Sequence, residues 1–455
     1  MRQLKSLSIY GFTIFFNAAL SFATFSLVTH HLNEVDYGII NLYNSFSIFI
    51  IPFIGVGVQF LLGVDFFKMD ADRFRKHFTN AMVIPVISTV FLTILFLIFN
   101  PAIQRLVKIN LFFVLTLPFS CLLILLNDVI LNLIRNKEKH FLFAGFSIFK
   151  NVAEIGFTIL FVVSLGWAWQ GRLTSSLIAL GVAGTIIIYL IRKWDLYKGS
   201  FSRSEIKKTF RDGSPFVPER LAIFVIFFSD RFFIDHFKTT ADVGYYGAGA
   251  QIAAIVVLTI LTLSNTFHPY LYKKLSKAPV DYKGLRKVTL IFISGSAVVS
   301  LIVIAITPLI FKYFVGPAFQ PGQKYAIFLV AGLFFWGVYN AFLPYLLNLR
   351  KSRLIMFISI AGMIISITGN FINVRLFGAL GAAYTSILVY FSMALITVLF
   401  VHRYYDLRKL LGRFSLTEER TVIKTNNDEI LEKDLLFSAG PGDLGQRNEK
   451  NDQRI

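Results

Sequence analysis

Apolar residues in this chain neither alternate with polar ones nor recur every third or fourth position. They run on for about twenty residues at a time. A helix rising about 1.5 Å per residue needs about 20 such residues to cross the hydrocarbon core of a bilayer. Twelve stretches qualify: 7–29, 38–64, 81–99, 111–134, 143–165, 173–191, 213–237, 243–268, 288–311, 325–349, 354–374 and 378–401. Such continuous runs exclude an outer-membrane barrel, whose strands alternate apolar and polar positions. The expected fold class is an all-α polytopic membrane protein with about 12 transmembrane helices. The first run follows Arg2 and Lys5, as a signal peptide would. It extends from Leu7 to Val28 with no small-x-small cleavage site, which predicts a retained first helix.

Composition agrees with that reading. Of 455 residues 55% are hydrophobic, Phe alone occurs 50 times, and only 16% are charged, against roughly 25% in soluble domains. The formal charge of +19 would suit nucleic acid, but its placement excludes that partner. Twenty-nine Lys and Arg lie at the N-terminus, in the even-numbered loops and just after the last span. Seven lie on the opposite side. The alternation holds loop by loop and places both termini in the cytoplasm. Cys121, alone inside an apolar run, permits neither a disulfide framework nor a Cys-based metal site. The chain carries no GxSxG, Walker A, HExxH or dinucleotide motif, so no catalytic residues, metal site or cofactor are expected and nucleotide-driven pumping is excluded.

The long basic connection 192–212 divides the chain into six spans and six. The expected units are an N-terminal bundle over 1–191, a cytoplasmic basic linker over 192–212, a C-terminal bundle over 213–413 and a disordered cytoplasmic tail over 414–455. Both bundles start on the same side, so they form a parallel repeat. Local echoes support it. Asp36-Tyr37-Gly38 and Asp242-Val243-Gly244 stand 206 positions apart, as do Phe66-Phe67-Lys68 and Tyr272-Lys273-Lys274. Gly171 before Leu173-Thr174-Ser175-Ser176 is echoed by Gly381 before Ala383-Tyr384-Thr385-Ser386. Two like-oriented bundles suggest a central cleft and alternating access.

Charged groups inside spans are costly and so face a bundle interior or a watery cavity. One group is Asp128 with Lys150, Asn151 and Glu154. Asp128 and Lys150 should lie at similar depth, where an ion pair could form. Lys150 and Glu154 share a helix face. The second group is Glu219, Arg220, Asp230 and Arg231 in the seventh span. Glu219 and Asp230 are eleven residues apart, as are Arg220 and Arg231, which puts each pair along one stripe. Pro215 and Pro218 should distort this helix at its entrance. Asn17 and Asn370 are milder candidates, with Arg375 beside them. These residues either line a substrate cavity, with bases meeting an anion and acids titrating or binding a coupling H⁺ or Na⁺, or they pin helices together.

Several stretches resemble a known family. His31-Leu32-Asn33-Glu34-Val35-Asp36-Tyr37-Gly38 is similar to the L-x-x-x-x-Y-G start of Wzx-type polysaccharide flippases, members of the MOP superfamily that also holds multidrug exporters. Asp230-Arg231-Phe232-Phe233-Ile234 with Val243-Gly244-Tyr245-Tyr246 resembles their DR…VGIY stretch. Gly369-Asn370-Phe371-Ile372 with Phe377-Gly378-Ala379-Leu380-Gly381-Ala382-Ala383-Tyr384-Thr385-Ser386 resembles their N…LIPxxGxxGAAxAT stretch. Val374-Arg375 stands where the family has an apolar-Pro pair. The resemblance implies a non-enzymatic flippase for undecaprenyl-diphosphate-linked oligosaccharide repeat units in the bacterial cytoplasmic membrane. Its partners would be membrane lipids and polysaccharide assembly proteins, and the Asp230-Arg231 pair would be a fold signature. A cation-coupled drug or metabolite antiporter is the nearest alternative. The short outer loops count against a polymerase or glycosyltransferase. Asp72-Arg73-Phe74-Arg75-Lys76 lacks the glycines of a major-facilitator loop.

Overall fold

The computed structural model describes residues 2–275, 281–349 and 351–405. The tail expected over 414–455 lies outside the described residues. Among the described residues there are helices and no strands. In chain order the α-helices are α1 Arg2–His31, α2 Glu34–Gly55, α3 Val58–Asp65, α4 Ala71–Ile98, α5 Asn100–Val107, α6 Leu111–Asn136, α7 His140–Thr158 and α8 Ala168–Lys193. They continue as α9 Arg203–Gly213, α10 Phe216–Phe228, α11 Asp230–Phe237, α12 Thr240–Leu275, α13 Tyr282–Phe314, α14 Gly322–Asn348, α15 Ser352–Phe377 and α16 Ala379–Tyr404. Carboxylate or amide side chains cap four of the starts. Asn33, Asp70, Asn110 and Asp281 accept from the backbone N–H of Asp36, Arg73, Phe113 and Gly284, donors the helix itself leaves free.

Eleven of these helices are long and apolar enough to cross a membrane. The expected seventh span, 213–237, is not continuous but divided into α10 and α11. At its entrance the chain turns at Ser214–Pro215 between α9 and α10, and Pro215 and Pro218 sit at the N-cap and in the first turn of α10, where no amide hydrogen is needed. The break comes at Ser229, whose hydroxyl donates back to the Val225 carbonyl at 2.6 Å, a contact that bends helices. The Asp230 carboxylate then accepts from the Arg231 amide at 2.9 Å.

The expected second span, 38–64, is also interrupted, between α2 and α3. Val56 (φ 42°) and Gly57 (φ 74°) both take the left-handed conformation, which a β-branched residue rarely adopts. A side chain at Gly57 would fall 2.7 Å from the Gly213 carbonyl oxygen and 2.8 Å from the Phe216 ring. Contact with the α9–α10 junction therefore fixes this break.

The repeat echoes mark symmetric contacts. A methyl group on Gly38 would overlap the Thr240 carbonyl oxygen, and one on Gly244 would overlap the Glu34 carbonyl oxygen. Thr240 and Gly244 stand 206 positions after Glu34 and Gly38. So α2 and α12 cross through reciprocal glycines that let the two backbones touch. The crossing places α2 at the centre. Of its most apolar stretch 67% is buried, against 17% for the stretch that begins with α7, most of whose residues are half-buried.

Candidate substrate cavities

Two cavities with charged residues in their walls lie one above the other along α2. The first, of about 230 Å³, includes Asn44 of α2, Asn151 and Glu154 of α7, Arg172 of α8 and Gln251 of α12. The second, of about 480 Å³, includes Ile48 of α2, Gln59 and Phe60 of α3, Asp128 and Arg135 of α6, and Arg220 of α10. Asn44 and Ile48 are one helical turn apart, about 6 Å along the axis. Both cavities have walls from both ends of the sequence, Gln251 closing the first and Arg220 the second.

The first cavity is built on a polar stripe of α7. Ser147, Lys150, Asn151 and Glu154 recur at helical spacing and so share one face. Asn17 of α1 donates to Ser147 Oγ at 2.7 Å, and Asn151 donates to Asn17 Oδ1 at 2.8 Å. Glu154 holds two cations: Arg172 Nη2 at 2.7 Å on one carboxylate oxygen and Lys150 Nζ at 3.7 Å on the other. Asn151 and Glu154 line the cavity, while Asn17 and Lys150 hold them from behind. Arg172 brings a second buried nitrogen, Nη1, that has no protein partner. Its position depends on Gly171, where a side chain would fall 2.9 Å from the Phe161 carbonyl oxygen in the π-helical turn Ile159–Ser164.

The second cavity is less completely paired. The Arg220 guanidinium lies 4.3 Å from the centre of the Phe60 ring, a cation–π contact. Phe216 stacks on the same ring at 5.2 Å. Arg220 Nε and Gln59 Oε1 are buried without protein partners. Arg135 donates to Asn132. Asp128 lines this cavity, so it is Lys150 and Glu154, not Asp128 and Lys150, that form the ion pair. Lys150 lines neither cavity, and its nearest carboxylate is that of Glu154, one turn along the same helix.

The other expected residues lie elsewhere. Glu219 is exposed and lines neither cavity. Asp230 and Arg231 are buried and mutually paired at 2.7 Å. Arg231 also donates to the Phe227 carbonyl at 2.9 Å, and the Tyr246 hydroxyl donates to Asp230. This closed network joins α10, α11 and α12. Asn370 is buried against Ser366, whose hydroxyl donates to the Val225 carbonyl at 3.0 Å, so this patch joins α15 to α10. Arg375 is exposed near the end of α15. Sequence reasoning misses Arg172 because the apolar pattern starts the sixth span at 173, which leaves this residue in a loop. The helix begins at Ala168. Asn44, Gln59 and Gln251 are neutral, and nothing in the pattern separates them from packing amides.

Three contacts run between the segments before the linker 192–212 and those after it. Lys108 pairs with Asp235 at 3.5 Å, the Tyr245 hydroxyl donates to Glu34 at 3.1 Å, and the Gly316 amide donates to Thr29 at 3.1 Å. With the Gly38–Gly244 crossing, these contacts join the two ends of the sequence on one side of the molecule. Among the described residues no group of three His, Cys, Asp or Glu side chains is arranged to hold a metal ion.

The family model described as polysaccharide biosynthesis protein matches residues 4–274. An uncharacterized membrane protein of Haemophilus influenzae is 28% identical over 165 residues, 36% of this chain and 38% of that one. The Lsg locus putative protein 1 of the same organism is 27% identical over 153 residues, 34% and 38% of the two chains. The match thus spans 38% of the length of either relative. Lipid II flippase MurJ in an inward closed conformation superposes with a TM-score of 0.69 at 14% identity, over 95% of this chain and 93% of that one. The MATE multidrug transporter DinF-BH gives 0.60 at 15% identity, over 88% and 96%. At such identities the likeness establishes the fold alone, a multi-pass helical membrane architecture.

Proposed function

The chain belongs to the polysaccharide biosynthesis protein family, and from that membership we propose that it flips undecaprenyl-diphosphate-linked oligosaccharide repeat units from the inner to the outer leaflet of the bacterial cytoplasmic membrane. In this reading both termini are cytoplasmic, as the basic loops require. Residues 1–191 and 213–413 act as two units joined by the linker 192–212, opening alternately to either side. The observation that carries the reading is the unsaturated guanidinium of Arg220 in the second cavity, beside Arg135 and Asp128. Arg220 is half-buried with its Nε donor buried and unpartnered, and a buried donor without a partner costs free energy until an acceptor arrives. A diphosphate supplies that acceptor, with charge-assisted hydrogen bonds to Arg. The amides of Asn44, Asn151 and Gln251, one turn further along α2, offer donors and acceptors to sugar hydroxyls. The polyprenyl tail stays in the lipid, and no covalent bond is made or broken.

Glu154 and Asp128 are the groups on which coupling to H⁺ or Na⁺ would act. Polysaccharide assembly proteins would supply and take up the repeat units. A cation-coupled drug or metabolite antiporter is the second reading, favoured by the fold shared with MATE transporters. Purified protein in liposomes, given a fluorescent lipid-linked oligosaccharide on one side, separates the two. Protected fluorescence that rises with time supports the flippase. Immobile oligosaccharide together with efflux of organic cations removes it.

A further inference from the structure

A third cavity, of about 730 Å³, lies between α4 and α9 and shares no lining residue with the other two. Its α4 wall is Ile84, Ile87 and Ser88, and its α9 wall includes Arg203, Lys207 and Phe210. Ile87 is 61% exposed and Phe210 52%. Ile87 begins an outward-facing row on α4 that continues through Val90, Phe91 and Ile94. The groove therefore opens onto the surface that faces lipid. Arg203 and Lys207 are one turn apart on the exposed side of α9. Among the described residues no carboxylate lines the groove. Glu205 turns away to His77 at 3.9 Å, and Asp212 pairs with Arg211 at 3.5 Å.

We propose that the groove between α4 and α9 binds one anionic phospholipid of the surrounding bilayer. Its phosphate lies on Arg203 and Lys207 and an acyl chain on Ile84, Ile87 and Phe210. Charge complementarity selects an anionic head group, because two cations stand at an apolar cleft with hydroxyls of Ser88 and Ser204 beside them. Continuity with the outward row of α4 selects a resident lipid of the bilayer rather than a solute from the central cavities. The site is preformed. Asn80 of α4 accepts from the Ser202 amide at 2.7 Å and donates to the Ser200 carbonyl at 2.9 Å, while Thr79 donates to the Leu196 carbonyl at 2.7 Å. These bonds moor the segment entering α9 against α4. From α9 the chain passes through Gly213, packed on Val56 and Gly57, into the helix that carries Arg220. A lipid in the groove thus braces the segment joining the two units.

The test uses the full chain in detergent, titrated with phosphatidylglycerol or phosphatidylcholine, with retained lipid counted by native mass spectrometry. Phosphatidylglycerol is expected to be retained in preference to phosphatidylcholine. The double variant R203Q/K207Q is expected to bind it roughly 30-fold more weakly, the combined effect of two surface cations. Ile87→Trp, which fills the apolar part and leaves both cations, is expected to displace it as well. Equal retention of the two lipids, or phosphatidylglycerol binding unchanged in R203Q/K207Q, overturns the proposal. Preferential retention of undecaprenyl phosphate overturns the assigned occupant. The exposed charge variants keep the test valid if the Trp variant does not fold. Binding is read without transport, so it stands or falls separately from the flippase reading.

Discussion

Arg220 and Arg231 stand eleven residues apart on one nominal helix stripe, yet the structure gives them opposite surroundings. Arg231 is inside a closed network. It has the Asp230 carboxylate at 2.7 Å and the Phe227 carbonyl at 2.9 Å, with Tyr246 completing Asp230. Arg220 has a ring at 4.3 Å and a buried nitrogen without a partner. The break at Ser229 separates the two. A charge in a span is costly in either place. In one it is neutralised by the protein; in the other a buried donor keeps no protein partner. Charge within a span is therefore not itself a mark of the site; the proposed site rests on an unsatisfied donor beside a cavity.

The sharpest way to break this comparison is Arg231→Ala, which strands Asp230 in the interior. A loss of about 3–5 kcal/mol is expected, seen as a large fall in the thermal unfolding midpoint in detergent. An unchanged midpoint would show that the network is not structural. Arg172→Gln comes next. Glu154 keeps Lys150 at 3.7 Å, so the expected cost is only about 1–3 kcal/mol. If Arg172→Gln proves as damaging as Arg231→Ala, the first cavity belongs to the fold rather than the site.

Arg220→Ala should leave the unfolding midpoint nearly unchanged and slow translocation about tenfold, the equivalent of one lost interaction of about 1.4 kcal/mol. Full transport in that variant would remove Arg220 from the substrate path. Arg220→Lys should recover only part of the rate, because an ammonium lacks the planar fork of a guanidinium. The smallest effect is expected for Glu219→Gln, within about 0.5 kcal/mol in stability and without change in transport. A measurable transport defect there would mean that the exposed carboxylate faces the substrate in another state.

The long apolar runs are legible as membrane helices because the bilayer imposes length and composition locally. The stripe Lys150-Asn151-Glu154 is legible too, since helical spacing alone puts these residues on one face. The paired glycines are visible as an echo at an offset of 206, although only the structure shows that each packs on the other's repeat. Arg172 is misplaced by five residues of helix, because a sequence marks the apolar run and not the turn that precedes it. Lys150 is close enough to act on Asp128 but makes its ion pair with Glu154, because depth in a membrane does not give rotation about the helix axis.

The sequence by itself determined what each segment must be in lipid: helical, spanning and basic on one side. These are one-dimensional properties, set by backbone hydrogen bonding and local charge. The tertiary structure alone decided which charges are satisfied and where the helices break. Val56 and Gly57 turn left-handed where Gly213 lies against them. Arg220 Nε is left without a partner because, among the described residues, no carboxylate reaches it as Asp230 reaches Arg231. Pairing and strain are made between segments distant in the chain, and no local pattern of residues records them.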